Sequence, residues 1–277
     1  MLTENEHIFL RQKYNPDGSI LRKAQLRMLE MLVYIDRLCR ENNLIYWLEG
    51  GNLLGAVRHN GFIPWDDDVD IYMPVEDVKK LKKIVIQDHN SDFVWQDHNT
   101  DPNDFKFWPT LRDVKSEYLH TRESYFYNRK TEKIIKYKGL QVDIFPTETN
   151  ILHVPNLLVK KIVNFFSIFI DKFPKSNIPV LLANIWYPFA TDILFPMFRL
   201  FGKFFGKRNE WTNSYGAHWG NYPTSWIFPL CEVEFEGHSF FAPHDYEKYL
   251  KKKFGGDCFE MPASDKIITH DVEVIFK

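Results

Sequence analysis

Apolar residues recur at helical spacing across 21–43, where Leu26, Leu29, Val33 and Leu38 are separated by charges. That spacing predicts an amphipathic helix stopped near Asn42-Asn43. Ile45-Tyr46-Trp47-Leu48 predicts a short strand running into Gly50-Gly51, after which Asn52 is placed to cap a short helix through Val57. Beyond breaks at Gly61 and Pro64, the alternation in Val69-Asp70-Ile71-Tyr72-Met73 predicts a half-buried strand. Pro74 and Glu76 open a helix over about 75–87. Further strands are expected around 93–96, 105–111 and 140–145, and a helix over 244–254 that ends at Gly255-Gly256. Mixed strands and helices predict an α/β or α+β core in roughly the first 150 residues, with no internal repeat or low-complexity tract.

The stretch 152–205 changes character. It is rich in Leu, Ile, Val and Phe and carries few charges. Its longest apolar run, 178–200, has the length to span a bilayer, yet Pro179, Pro188, Asp192, Pro196 and Arg199 interrupt it. Two readings stay open. One is a helical subdomain buried over the sheet. The other is a hairpin resting on a membrane, with Lys160, Lys161, Lys203, Lys207 and Arg208 meeting anionic lipid. The pattern thus divides the chain into a core over 1–150, an apolar insert over 151–210, and a part over 211–277 that completes the core.

Bulk properties narrow the functions. The formal net charge of −2 over 277 residues supplies no basic field, which excludes nucleic acid as the expected partner. Cys39, Cys231 and Cys258 are isolated, with neither the pairing of a disulfide framework nor the spacing of a zinc module, so a reducing, cytoplasmic setting is expected. Acidic residues stand near Met1 where a signal peptide needs a basic start.

The most informative stretch is Trp65-Asp66-Asp67-Asp68-Val69-Asp70-Ile71. Four carboxylates in five positions repel one another and require counter-charge. On a strand, Asp66, Asp68 and Asp70 share one face, and Val69 and Ile71 take the other. Such a face can offer two oxygen ligands to a hard cation, and magnesium favours one or two carboxylates completed by phosphate oxygens. A solvated acidic turn is the plain alternative, but it would not ordinarily continue into an apolar strand. In Gln141-Val142-Asp143-Ile144-Phe145-Pro146, Asp143 is flanked by apolar neighbours, a costly position that marks it as general base, metal ligand, or both. Gly50-Gly51 after a strand lets backbone approach a phosphate.

Two segments, Leu48-Glu49-Gly50-Gly51-Asn52-Leu53-Leu54-Gly55-Ala56-Val57-Arg58-His59 and Gly61-Phe62-Ile63-Pro64-Trp65-Asp66-Asp67-Asp68-Val69-Asp70-Ile71, resemble the signature of the LicD family. The resemblance continues loosely through Arg112-Asp113, Lys138-Gly139, Asp143-Ile144-Phe145-Pro146 and Phe254-Gly255-Gly256-Asp257 with His270. That family is related to the fukutin-type ribitol-phosphate transferases. The resemblance implies an α+β, nucleotidyltransferase-like (polymerase-β-type) mixed sheet with flanking helices and an added apolar helical subdomain. It implies transfer of phosphocholine from CDP-choline to a hydroxyl of a cell-surface glycan, such as a lipopolysaccharide precursor, with release of CMP. In that reading Asp68, Asp70 and Asp143 are catalytic and hold Mg2+ or Mn2+. Gly50, Gly51 and Asn52 form the donor-phosphate loop, Arg58, Arg112 and Lys138 offset donor charge, and Asp66, His59 and His270 support them. Arg112 and Lys138 can equally be surface or ion-pair residues. Asn52 departs from the small hydroxyl residue commoner after Gly-Gly in the family, and 152–205 matches none of its motifs.

The competing enzyme reading is transfer of another phosphoalditol, or a glycosyltransferase whose Asp-x-Asp motif binds a sugar nucleotide. From another class comes a catalytically silent membrane-surface scaffold. Trp47, Trp65, Trp108 and Tyr137 lie near the motifs, but the sequence assigns none of them to a choline cage.

Overall fold

The computed structural model describes residues 3–88, 92–120, 130–215, 220–262, 267 and 272–277. Two N-terminal helices, α1 (Glu4–Tyr14) and α2 (Ile20–Glu41), precede β1 (Trp47–Leu48), α3 (Gly50–His59), β2 (Asp70–Pro74) and α4 (Val75–Gln87). Then follow β3 (Phe93–Gln96), β4 (Thr110–Asp113), β5 (Ser116–His120), α5 (Lys130–Ile134) and β6 (Gln141–Glu148). The apolar segment forms α6 (His153–Lys172), α7 (Ile178–Pro188) and α8 (Phe195–Phe205), the last two joined by a π-helical stretch, Phe189–Leu194. The chain closes with β7 (Glu210–Asn213), β8 (Tyr222–Pro223), α9 (Thr224–Ile227), the β9 (Cys231–Phe235) and β10 (His238–Ala242) pair, α10 (Tyr246–Phe254) and β11 (Val272–Phe276).

This is a mixed α+β architecture. The main sheet runs β1-β2-β6-β4-β3, with β7 added at the far end of β6 and β8 beyond it. Among the described residues of this sheet only β2 and β6 are parallel; β1 with β2, β6 with β4, β4 with β3, and β6 with β7 are antiparallel. β6 is therefore the axis of the sheet. Its Val142, Ile144 and Phe145 are buried, as are Ile71, Tyr72 and Met73 on β2. The amphipathic α2 buries Met28, Leu32, Ile35 and Leu38 in the same core, and α4 packs on β2, β3 and β6. Tyr249 and Leu250 on α10 and Phe235, Phe240 and Ala242 of the β9–β10 hairpin enter this core too.

Several expectations shift. The run at 66–69 is a turn and an extended link rather than strand; β2 starts at Asp70. Residues 105–109 are also irregular, and the strand there starts at Thr110. Phe105 and Phe107 instead enter a second, smaller core with Val159, Ile170, Tyr187 and Phe195 from the apolar helices. Tertiary burial outweighs local strand preference at those aromatics. Asn52 does not cap a helix, because α3 begins two residues earlier. The sequence reading did not include α1, whose start is set by Thr3 and Glu6 in a reciprocal capping box and whose Ile8 and Phe9 stay exposed.

Candidate active site

The parallel pairing of β2 with β6 places Asp70 directly beside Asp143, and the Asp143 N–H donates to the Val69 carbonyl at 2.8 Å. Two acids far apart in sequence thus become neighbours at the start of adjacent central strands. Parallel-paired residues point to the same side of a sheet, so both carboxylates share one face. Asp143 is held from three sides: Trp108 Nε1 donates to Oδ1 at 3.1 Å, Gln141 Nε2 donates to Oδ2 at 2.9 Å, and Lys106 Nζ stands 3.8 Å from Oδ1.

Asn52 fixes the other strand. Its Oδ1 accepts the Asp70 N–H at 2.6 Å, and its Nδ2 donates to the Asp68 carbonyl at 3.1 Å. The side chain that the family signature places at a phosphate loop is here spent on the backbone that presents the acids. Gln25, buried on α2, holds the preceding turn by donating to the Asp66 carbonyl at 2.8 Å. Gly50 takes φ +58°, and a Cβ there would stand 3.5 Å from Lys253 Nζ and 3.9 Å from Asp70 Oδ2. A Cβ on Gly51 would lie 2.5 Å from Asp66 Oδ2. The glycine pair therefore permits a left-handed turn and close approach of backbone to carboxylates.

Three site residues were missed from sequence. Glu49 is fully buried and accepts from Tyr249 OH and from Lys253 Nζ, both on α10. Lys253 thereby brings an ammonium from the far end of the chain to the Asp70 side of the cleft. The usable signal was a lysine just before Phe254-Gly255-Gly256, a segment that resembles the family but whose lysine has no motif partner nearby.

Charge crowding dominates the electrostatics. Burial, then the charges of Asp68 and Asp67, raise the Asp66 carboxyl well above the usual range, and it donates to Asp68. Asp68 is exposed at its surface, yet desolvation, then the charges of Asp67 and Asp143, push its carboxyl up to about 7. Burial, then Asp68, Asp143 and Glu49, raise Asp70 as well, with Lys253 opposing. Adjacent acids that cannot all ionise without counter-charge make a site selected for a cation or a proton-sharing reaction.

The remaining expected residues divide. Arg58 is buried and committed: Nη1 donates to the carbonyls of Cys258 and Glu260, each at 3.1 Å, and Nε to His59 Nε2 at 2.9 Å. Arg112 is buried between Gln96 Oε1 at 2.6 Å and the Gly139 carbonyl at 2.8 Å. Arg58 lies within reach of the Asp66 charge, while the bonds of Arg112 run to Gln96 and the Gly139 carbonyl. Lys138 is half-buried, and its carbonyl accepts the Tyr118 N–H at 2.8 Å. Tyr118 OH in turn donates to Asp67 Oδ2 at 2.7 Å. Trp47 is fully buried against Tyr72, Trp211 and Phe228, a core residue. His270 lies outside the described residues.

His59 stacks edge-on with Trp65 and His7. Burial, then the charges of Arg58 and His7, hold its imidazole down to about 3, against an ordinary 6.5. Between those values the unfolded chain binds a proton that the folded chain lacks. The stability contribution is thus complete above pH 6.5 and is lost as pH falls towards 3, by up to ~1.4 kcal/mol per unit. Urea midpoints at pH 7 and pH 5 read this, with His59→Gln expected to flatten the difference; equal acid sensitivity in the two proteins would exclude His59 as its source.

Among the described residues no three acidic, imidazole or thiol side chains close on a single point. In donor type, however, the crowded carboxylates of Asp68 and Asp70, with Asp143 alongside, fit a hard divalent cation completed by water or phosphate oxygens. The two hydrogen bonds to Asp143 leave each of its oxygens a further lone pair.

A carboxylate pair on adjacent sheet strands, beside a glycine turn and a delivered ammonium, belongs to an enzyme, and comparison with known proteins places that enzyme among the phosphotransferases. The chain belongs to the LicD/FKTN/FKRP nucleotidyltransferase-domain family, whose model matches residues 43–190. It is similar to the lipopolysaccharide cholinephosphotransferase LicD of Haemophilus influenzae, at 25% identity over 91% of this chain and 96% of that protein. It is also similar to mouse ribitol 5-phosphate transferase FKRP, at 24% identity over 78% of this chain but only 29% of the longer relative. An uncharacterised Rickettsia prowazekii protein is 42% identical over 76 residues, 27% of each chain. The family match extends well into the apolar segment.

Proposed function

We propose that this chain has a nucleotidyltransferase-type catalytic fold and transfers a substituted phosphate, phosphocholine first among candidates, from a CDP-linked donor to a hydroxyl of a cell-surface glycan precursor. The observation that carries the reading is the side-by-side placement of Asp70 and Asp143 next to the Gly50-Gly51 turn. The near full-length likeness to a cholinephosphotransferase favours phosphocholine, and the likeness to a ribitol 5-phosphate transferase keeps another phosphoalditol as the second reading.

Asp68 and Asp70, with Asp143, would hold Mg2+. A bound magnesium neutralises the donor diphosphate and favours loss of the nucleotide. The acceptor oxygen attacks the phosphorus that bears the head group, forming a new P–O bond. The bond from that phosphorus to the bridging oxygen breaks, and CMP departs with the bonding pair. Asp143, held in place by Trp108 and Gln141, takes the proton from the acceptor hydroxyl. Lys253, anchored on Glu49 and lying beside Gly50, supplies positive charge on the Asp70 side of the cleft. In this reading 1–150 and 211–277 together form the catalytic unit, on the cytoplasmic side where CDP donors are made.

The test offers purified protein with magnesium CDP-choline, CDP-glycerol, CDP-ribitol and UDP-sugars, and follows nucleotide release with and without chelator. CMP from CDP-choline, abolished by chelation and by Asp68→Asn, is the expected result. Preference for another CDP-alditol would keep the chemistry and change the head group. UDP released from UDP-sugars alone would overturn the assignment in favour of glycosyl transfer.

A further inference from the structure

The apolar helices are held by one face and bare on the other. The held face is firm: Tyr187 OH donates to the Lys106 carbonyl at 2.6 Å, Arg199 Nε pairs with Glu148 at 2.8 Å, and Thr131 binds Asp171 at 2.9 Å. On α6 the opposite side exposes Val154, Leu158, Ile162, Phe165 and Ile168 at three- and four-residue intervals. Along α7, the π-helical stretch and α8 the same spacing exposes Leu181, Ile185, Phe189, Ile193, Met197, Leu200 and Phe204, with Phe205 beside the last, the two phenylalanines 74% and 78% exposed. Two helices of 20 and 28 residues, packed side by side, thus present one continuous apolar stripe. Single exposed apolar residues are ordinary on soluble proteins; a contiguous stripe of this length marks an interaction surface.

Charge selects the occupant. Residues 152–208 carry eight basic and two acidic side chains, although the chain as a whole has a net charge of −2. Lys161, Lys172, Lys175, Lys203, Lys207 and Arg208 are exposed around the stripe. A second copy of this chain would bring the same basic fringe against itself. An anionic bilayer meets both features, taking the apolar residues into its interface and the ammonium groups among its headgroups.

Crossing the bilayer is a different matter. The helices are long and apolar enough, but insertion would strip Tyr187, Arg199 and Asp171 of their partners and expose Phe105 and Phe107. Asp192, exposed beside Ile193, would then enter hydrocarbon. Lying flat keeps Asp192 at headgroup level and lets Lys161 extend out from between Leu158 and Ile162.

We propose that α6–α8 form an interfacial docking surface for an anionic lipid bilayer, which holds the catalytic cleft against the membrane without spanning it. The geometry connects the two. The segment on which Tyr187 sits, Lys106-Phe107-Trp108, carries the groups that hold Asp143, so the held face of the docked helices packs directly on the segment that positions this acid. A lipid-linked acceptor would then reach Asp143 from the bilayer side. The docking itself does not depend on which group is transferred.

The test is flotation of the full chain with vesicles of pure phosphatidylcholine and vesicles with added phosphatidylglycerol, at low and high salt. Binding to the anionic vesicles that weakens with salt, and falls on the order of ten-fold in Phe204→Ser/Phe205→Ser and in Lys203→Glu/Lys207→Glu, is the expected result. Circular dichroism and nucleotide release from a soluble donor check that the variants remain folded, and they read the reaction separately from binding. Retention of the protein after carbonate extraction would show a spanning helix pair and overturn the proposal. So would equal binding to neutral vesicles, no binding at all, or a stable dimer that dissociates in Phe204→Ser/Phe205→Ser.

Discussion

Asp70→Asn is expected to lower chelator-sensitive nucleotide release by about three orders of magnitude, equivalent to ~4 kcal/mol of barrier, while raising the thermal midpoint of the metal-free protein. The two effects share one cause. Asp70 sits within reach of the charges of Asp68, Asp143 and Glu49 in a desolvated position. Replacing it with a neutral side chain of the same shape relieves that repulsion in the folded state and leaves the unfolded chain nearly unchanged. The same replacement removes the negative oxygen on which the phosphate chemistry depends. Opposed changes in stability and rate are characteristic of residues kept for function rather than for folding. Parallel rate measurements and calorimetry decide the matter. A variant with full turnover would refute the role of the β2–β6 acid pair, and a variant both inactive and less stable would show that Asp70 is a structural residue.

Gly139→Ala is expected to cost ~3 kcal/mol or more of stability, a fall of roughly ten degrees in a chain of this size. A Cβ at this position would overlap the Asp113 carbonyl and stand 3.0 Å from the Ser116 carbonyl. Neither neighbour is free to move. The Asp113 N–H donates to the Leu140 carbonyl at 2.9 Å, the Leu140 N–H donates to Ser116 Oγ at 3.0 Å, and Arg112 is bonded to the Gly139 carbonyl itself. The strain falls on the seam between β4 and β6, so activity and stability should be lost together, unlike in Asp70→Asn. A melting midpoint within a degree of the parent would show that the seam can open at no cost.

The sequence was most informative where local pattern and burial agree. α4 and β3 fall on the expected residues, and α2 and α10 deviate only at their ends, because helical and strand periodicities are properties of short windows. The acids at 68, 70 and 143 stood out as charges amid apolar runs, an anomaly visible without a structure. Their adjacency did not, since register between β2 and β6 is set by the whole sheet. Arg112 was misleading for a related reason. An arginine close to a motif looks like a phosphate ligand, but only the structure shows that its Nε and Nη1 bond Gln96 and the Gly139 carbonyl. Lys253 and Glu49 were invisible because their pairing joins the two ends of the fold. Each of the two sequence readings of the apolar helices covers one face: one side is buried against the rest of the fold, and the bare side is the surface that the membrane-resting reading requires.

The parallel pairing of β2 with β6 also bears on how the protein comes into being. Parallel neighbours demand a long crossover, here one that contains α4, β3, β4, β5 and α5, and contacts of that range form late. As the polypeptide leaves the ribosome, Asp68 and Asp70 emerge long before Asp143, and Lys253 emerges after all three. The repulsion that Asp143 adds to the acids of 66–70 is therefore deferred until the scaffold able to bear it is assembled. The ammonium that opposes it arrives with α10. A chain cut short before α10 would hold the acids without Lys253, and one cut short before β6 would hold Asp68 and Asp70 without Asp143.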